Sequence, residues 1–495
     1  MKGYKSFSLN GRATSASAFV KVKTAHALSA SNFWSVTENN SNNSWNVNFN
    51  NGNTNNNNKN NSNRGRAVSA LGEEELVPWI EAADDCCRNK KTSRQCTEYR
   101  IREEVLVDLA IAVKTRTYSP QTSDCFVVKY PKLREIFAAH FVDRIVQHWI
   151  ILRLEPLLEK LFVSTGDVSF NCRKGYGTLR AVKTLYTQTE RITEGWTKDA
   201  WIGKFDLRSF FMSIDKRLLW SMLCRFIEQN YHEPDKEDLL WLSEKTVMHR
   251  PQDNCIRKGD LSLWDKLPKH KSLFYMDGTA IGNITSQILA NFLLSPFDAW
   301  AYQFCTSRGG WYERFVDDIP VVLPNKSDVL LFHQEARRFL EERIHLSLHP
   351  DKVYIQHASK GVKFVGSVIM PGRMYLSNRT VGKMHEMLSD MERCCKRVAR
   401  KKRPSLQDAE ELEHWVCSCN SYMGFLVHHA SYGLRRRMFG RMKWFWRIAF
   451  VCGEYGKVVL RNRYRVETVL SRDECKIKTL KIKDYGKQIF KRNAC

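Results

Sequence analysis

Two aspartates stand side by side in Arg314-Phe315-Val316-Asp317-Asp318-Ile319-Pro320, between two apolar, strand-like runs. Neighbouring carboxylates repel, and a hairpin tip between buried strands is a costly place to leave them uncompensated. A divalent cation offsets that cost. A third carboxylate, Asp206, lies upstream at the end of the strand-like run Lys204-Phe205-Asp206-Leu207. With Asp317 and Asp318 it would supply the oxygen-rich surroundings that Mg²⁺ prefers. Two such ions about 3.5–4 Å apart can activate an attacking hydroxyl and stabilise a leaving pyrophosphate. The Asp-Asp dipeptide is also common in plain turns, so it does not decide the matter alone. Between the two carboxylate sites runs Gly278-Thr279-Ala280-Ile281-Gly282-Asn283-Ile284-Thr285-Ser286-Gln287, then an apolar helix through Leu289, Phe292 and Leu293. Small residues before a helix let backbone approach a base pair closely, although a helix capped by Asn283 or Thr285 reads the same way.

The elements that must position these groups follow from periodicity. Helices are predicted over 103–113, 137–161, 179–193, 216–230, 285–301 and 328–342, and strands over 125–130, 201–207 and 363–370. The strands 311–316 and 319–323 flank a two-residue turn at the aspartate pair, and the chain from 379 onward reads as mainly helical and strongly basic. At 495 residues the chain is too long for one simple core. The 78 Lys and Arg against 53 Asp and Glu give a net charge of +25, which points to a polyanionic partner. No apolar run approaches a membrane span, and the weakly basic start lacks the apolar stretch of a signal peptide. The 15 cysteines are scattered without zinc-ribbon spacing, as expected of reduced thiols in a cytoplasmic protein.

In this order the motifs resemble those of reverse transcriptases. The strand ending in Asp206, the Gly-rich turn and helix, and the Asp-Asp hairpin resemble the family's palm. Pro131-Lys132-Leu133-Arg134-Glu135-Ile136, Asp143-Arg144-Ile145-Val146 and Ser169-Phe170-Asn171-Cys172-Arg173-Lys174-Gly175-Tyr176-Gly177-Thr178 resemble its fingers. Leu348-His349-Pro350-Asp351-Lys352 and Lys363-Phe364-Val365-Gly366 resemble later palm motifs, and Asn420-Ser421-Tyr422-Met423-Gly424 the thumb of bacterial members. The resemblance covers roughly residues 75 to 445. It implies an α+β, right-hand polymerase: 71–200 an N-terminal extension and fingers, 201–375 a palm with an antiparallel sheet, and 376–495 a basic helical thumb. A low-complexity Asn-rich leader, 1–70, precedes them.

The resemblance also implies roles. Asp206, Asp317 and Asp318 would be catalytic and hold two Mg²⁺ ions (Mn²⁺ substituting), with the Leu207 carbonyl as a further ligand. Phe211 matches the aromatic that packs under the sugar of the incoming nucleotide and excludes a 2′-hydroxyl. Arg173, Lys174, Ile281, Gly282 and Lys352 would bind the nucleotide. Arg134, Arg397, Lys401, Arg435, Arg436 and Arg437 would hold nucleic acid, since seven basic residues and no acid fall within 393–403 and a second cluster follows. Where most of the family has Gln-Gly and Ser-Pro, this chain has Ile281-Gly282 and Ser286-Gln287. That departure resembles the diversity-generating retroelement subgroup, whose enzymes copy a template-repeat RNA with errors at adenines. Replacing an amide by Ile281 removes a polar check on base geometry. The subgroup implies, as partners, template-repeat RNA and its cDNA, target variable-region DNA, and a small basic accessory protein oligomer, in a bacterial or phage-encoded cytoplasmic setting. An ordinary-fidelity retron- or group II intron-type enzyme and a catalytically silent RNA-binding scaffold are the rival readings.

The leader fits the same picture. Seventeen of residues 32–63 are Asn, which predicts disorder, because too few apolar groups are present to offset ordering entropy. Asn codons are adenine-rich, and Phe33-Trp34, Trp45, Phe49 and the closing Arg64-Gly65-Arg66-Ala67-Val68 resemble the variable end of a lectin-like target. The leader therefore reads as template repeat translated in frame, with the natural start codon downstream of it.

Overall fold

The structure, a computed structural model, describes residues 32–38, 43–48, 53–58, 73–88, 104–129 and 132–472. Its helices in chain order are α1 (Glu73–Cys87), α2 (Glu104–Lys114), α3 (Phe141–Ser164), α4 (Thr178–Ile192), α5 (Phe210–Ser213), α6 (Lys216–Asn230), α7 (Lys236–Met248) and α8 (Ser262–Asp265). They continue with α9 (Ile284–Leu293), α10 (Ser295–Thr306), α11 (Lys326–Phe339), α12 (Asn378–Ala399), α13 (Leu406–Leu426), α14 (Tyr432–Gly440) and α15 (Phe445–Ile448). The strands are β1 (Asn32–Glu38), β2 (Asn43–Asn48), β3 (Asn53–Asn58), β4 (Ser123–Val128), β5 (Arg134–Ala138), β6 (Trp201–Asp206), β7 (Cys255–Lys258) and β8 (Trp311–Tyr312). After these come β9 (Asp318–Leu323), β10 (Tyr354–His357), β11 (Val362–Phe364), β12 (Ser367–Met370), β13 (Arg373–Leu376), β14 (Ala449–Cys452) and β15 (Lys457–Leu460). The mixture of helices and separate sheets is the α+β class expected.

The chain divides into two compact units. The first comprises the described part of Met1–Lys174 with Asp206–Tyr302 and Gln334–Pro350; the second comprises Gly175–Phe205, Gln303–His333 and the described part of Asp351–Cys495. In the first unit α3 is apolar on more than one face, and Ile145, Trp149, Ile150, Leu154 and Leu158 are all buried. A helix of that character belongs inside a core. Trp79 of α1 stacks on Trp149 at a centroid distance of 5.1 Å. The unit also holds a three-stranded sheet, β5-β4-β7, with β4 antiparallel to β5 and parallel to β7.

The second unit holds the sheet β10-β6-β9-β8, in which only Asp206, the last residue of β6, belongs to the first unit. It also holds the basic C-terminal helices. Their core is Met384, Leu388, Met391, Cys395 and Val398 of α12 against Leu412, Cys419 and Met423 of α13 and Phe439 and Phe445 beyond. Helix α13 starts with a reciprocal cap between Ser405 and Asp408.

Helix α6 spans the residues expected, but several neighbours do not. The helix expected from 137 starts at Phe141, because 134–138 pairs with β4, alternately burying Glu135 and Phe137. The helix expected over 285–301 is two helices, α9 and α10, parted at Leu294; Pro296 has no N–H to continue the first. The strand expected over 363–370 is the hairpin β11–β12, turned at Val365 and Gly366, whose φ angles are +35° and +91°. The Asn tract, expected to be disordered, pairs as the antiparallel sheet β1-β2-β3. Trp34, Val36, Thr37, Trp45 and Val47 within it are strand-favouring residues that a count of Asn alone overlooks. The Arg64–Val68 segment and the N-terminal stretch lie outside the described residues.

Candidate active site

The Asp-Asp pair sits on the β8–β9 hairpin. Trp311 faces Val322 and Tyr312 faces Val321, and β9 is buried from Ile319 to Leu323. Phe315 N–H donates to the Asp318 carbonyl at 2.9 Å and Asp318 N–H to the Phe315 carbonyl at 3.1 Å, so Val316 and Asp317 are the two turn residues. The turn therefore lies one residue earlier than the sequence suggested, and Asp318 opens β9. Val316 takes φ +58°, which suits the hairpin's twist but strains a β-branched residue. Such strain persists only where surroundings hold it. Here the fully buried Arg314 donates from Nη1 to the Val316 carbonyl at 3.1 Å. Beside it Glu313 is also fully buried, accepting one hydrogen bond from the Trp311 indole at 3.0 Å while its Oε1 has no partner.

Strand β6 is the immediate neighbour of β9. Gly203 explains how closely: a Cβ there would lie 2.9 Å from Val321 and 2.7 Å from Val329. Lys204 reaches Asp318, with Nζ 3.4 Å from Oδ1, and so partly compensates the carboxylate pair. β6 ends at Asp206, which is 7% exposed. Its carbonyl accepts from His349 N–H at 2.7 Å, Leu207 bridges Leu348, and Arg208 N–H donates to Ser347 at 2.9 Å. Among the described residues no three His, Cys, Asp or Glu side chains gather closely enough to cage a cation. Carboxylates and backbone carbonyls offer hard oxygens, the chemistry that Mg²⁺ takes while keeping room for further oxygen ligands.

Phe211 is half-buried beside Phe210, and its carbonyl accepts from Thr279 N–H at 2.8 Å. Gly278 makes that approach possible, since a Cβ would lie 2.2 Å from the Phe211 oxygen. Ile281 accepts from Phe137 N–H at 2.9 Å through its carbonyl and packs on a cluster of Cys125, Phe137, Met212, Leu273 and Ala280. Gly282, at φ +124°, lies against the Phe137 carbonyl, where a Cβ would approach to 2.6 Å. Segment 278–282 is thus stitched to β5 on one side and to α5 on the other. Gln287 is exposed and accepts from the Cys172 thiol at 3.1 Å, and one turn on Asn291 donates to the Asn171 carbonyl at 2.7 Å. Ser286, half-buried, lines a small cavity with Asn283 and His249.

Two expectations are corrected. Arg173 is buried, and its guanidinium donates to Glu159 at 2.6 and 3.0 Å, to Asp167 at 2.7 Å and to the Ser169 carbonyl at 2.7 Å. It ties its own loop to α3 instead of presenting donors to a triphosphate. Arg435 is likewise buried, donating to the carbonyls of Glu454 and Tyr455 at 2.9 and 2.6 Å, so it is a structural residue and not a nucleic-acid contact. Lys174 is exposed and paired with Glu155; Arg134, Lys352, Arg436 and Arg437 are exposed. Arg397 pairs with Glu411, and Lys401 with Asp408 at 2.8 Å, joining α12 to α13. Lys204 and Arg314, which hold the hairpin, and the buried Glu313 were not anticipated. Charged residues inside apolar strand runs were the available signal.

Residues 129–369 match the family described as "Reverse transcriptase (RNA-dependent DNA polymerase)". That stretch is just under half of the chain. Protein YkfC of Escherichia coli (strain K12) is 26% identical over 284 residues, a match covering 51% of this chain and 65% of that protein. This chain therefore spans about two thirds of that relative's length. Among solved structures, apo telomerase from Candida tropicalis aligns at a TM-score of 0.41 with 11% identity over 73% of this chain and 67% of that one. Telomerase from Candida albicans, in complex with a TWJ fragment of telomeric RNA, aligns at 0.38 with 12% identity over 69% and 64%. No helix among the described residues is long and apolar enough to cross a membrane.

Proposed function

We propose that the chain is an RNA-directed DNA polymerase with Asp206, Asp317 and Asp318 as its catalytic carboxylates. The observation that carries this reading is the pairing of β6, which ends at Asp206, beside β9, which begins at Asp318 behind a strained turn, inside the stretch similar to the reverse transcriptase family. Asp206 and Asp317, with the Leu207 carbonyl, would hold Mg²⁺, or Mn²⁺ in its place; Asp318 shapes the site from its pairing with Lys204. When bound, the cations lower the pKa of the attacking hydroxyl and neutralise charge on the leaving group. The primer 3′-oxygen forms a bond to the α-phosphorus while the bond to pyrophosphate breaks. Phe211 packs beneath the sugar and disfavours a 2′-hydroxyl. Lys174, which pairs with Glu155, and Lys352 are exposed cations that would meet the triphosphate.

The finer reading is diversification: error-prone copying of an adenine-rich template repeat for insertion into a variable target gene. It is supported by Ile281, whose side chain brings no hydrogen-bonding group to segment 278–282, and by the adenine-rich coding of the Asn tract. On this reading the partners are template-repeat RNA, its cDNA, target DNA and a small basic accessory oligomer. The test is cDNA synthesis on adenine-containing RNA with Mg²⁺, followed by sequencing, beside an Asp317→Ala/Asp318→Ala control. Misincorporation confined to adenines and abolished in the control is the expected result. Accurate cDNA would remove the diversification reading and leave a polymerase of retron or intron type. No product, even with cognate RNA and accessory protein, would favour an RNA-binding scaffold.

A further inference from the structure

Segment 255–275, between β7 and the Gly278 turn, has no part in the chemistry above, yet its surface is unusual. Ile256, Leu261 and Tyr275 are 55%, 60% and 64% exposed, the most open of the first unit's large apolar side chains. They are set among five Lys and Arg (Arg257, Lys258, Lys266, Lys269, Lys271) against two Asp (Asp260, Asp265). Asp260 accepts from the Ser262 N–H and hydroxyl at 3.0 and 2.7 Å, and the cations of the segment still outnumber its acids by three. Lys258 pairs with Asp124 at 2.6 Å, but Lys266, Lys269 and Lys271 stand exposed.

Aromatic rings and cations lie against one another in this segment. Arg257, itself exposed, lies over the half-buried rings of Trp264 and Phe274, 4.7 and 4.3 Å from their centroids. The Tyr275 ring is open to solvent, with the Lys269 ammonium 5.4 Å from its centroid. Exposed rings among flexible cations suit a single strand of nucleic acid, whose unpaired bases stack while phosphates meet ammonium groups. A duplex offers charge but keeps its base faces covered. The patch is also anchored where a template would be needed. Trp264, Phe274 and Met276 pack on the cluster of Phe137, Met212 and Ala280 that also receives Ile281.

We propose that the surface of Leu261, Lys266, Lys269, Lys271 and Tyr275 binds the unpaired RNA template strand beside segment 278–282. This rests on the polymerase reading for the identity of the strand as template, though not for the binding itself.

The test uses the full chain with two probes, a fluorescein-labelled single-stranded RNA and a blunt RNA–DNA duplex, read by anisotropy. Tyr275→Ala is expected to weaken single-strand binding roughly tenfold, and Tyr275→Phe to restore it. Lys266→Gln/Lys269→Gln/Lys271→Gln should flatten the dependence of log affinity on log salt by about 2. Duplex affinity and melting temperature should not change in either variant. Unchanged single-strand affinity and salt slope would overturn the proposal, as would an equal loss of duplex binding. If the wild type makes no cDNA yet loses single-strand binding with Tyr275→Ala, the RNA site stands and the polymerase reading falls.

Discussion

At the scale of single residues, the hairpin that carries Asp317 is held by charges that look misplaced. Val316 at φ +58° costs on the order of 1–2 kcal/mol, and the buried Arg314 guanidinium is the group that holds its carbonyl. Glu313 is next to it, fully buried with one oxygen unpartnered. Burial holds its carboxyl well above the ordinary carboxylate range, only weakly opposed by the Trp311 indole N–H. The sign of the consequence follows from linkage. As pH rises past 4.5, the ordinary value, the unfolded chain releases the Glu313 proton while the folded chain keeps it. The folded state thus loses about 1.4 kcal/mol per pH unit against the unfolded one until its own raised value is passed. Glu313→Gln keeps the acceptor for Trp311 and removes the titration. Its urea midpoint should exceed that of the wild type at about pH 8 and lose the advantage near pH 4. A variant less stable at both pH values would mean that Glu313 is ionised and paired in the native protein.

At the scale of elements, what the sequence could announce was set by pattern and what it hid was set by packing. Helix α6 and the Asp-Asp hairpin were legible because apolar spacing and a carboxylate pair are local signals. Whether an arginine faces solvent is not local. In Arg435-Arg436-Arg437 the three side chains have the same chemistry, yet α14 buries the first under the β14–β15 turn and leaves the other two exposed. Arg173 was misread for the same reason, since Glu159 and Asp167 reach it only once α3 and its following loop have folded. The helix break at Leu294 and the turn at Val365-Gly366 were lost to continuous apolar runs. Two substitutions on α14 separate these roles. Arg435→Gln should cost about 2–4 kcal/mol in unfolding experiments, because it abandons two buried carbonyls. Arg436→Gln/Arg437→Gln should leave stability within about 0.5 kcal/mol but reduce the salt slope of RNA–DNA duplex binding by about 2. A double variant with an unchanged slope would remove these arginines from the duplex footprint.

At the scale of the whole molecule, a net charge of +25 and the proposed three-aspartate site pull in opposite directions on one ligand. The basic surface attracts phosphate through counterion release, so affinity for RNA should fall by about 10³–10⁵ between 50 and 200 mM salt if six to ten phosphates are contacted. The aspartates repel the same backbone unless cations stand between. Asp206→Asn/Asp317→Asn/Asp318→Asn should therefore bind primed template at least as tightly as the wild type without Mg²⁺, while making no cDNA with it. Adding Mg²⁺ should tighten binding of the complementary nucleotide only in the wild type. Binding and catalysis would then separate along the line the sequence draws between its lysines and arginines and its few clustered acids. Loss of RNA binding in the triple variant would instead mean that the carboxylates hold the fold together, and the hairpin's strained turn would have to be explained by stability alone.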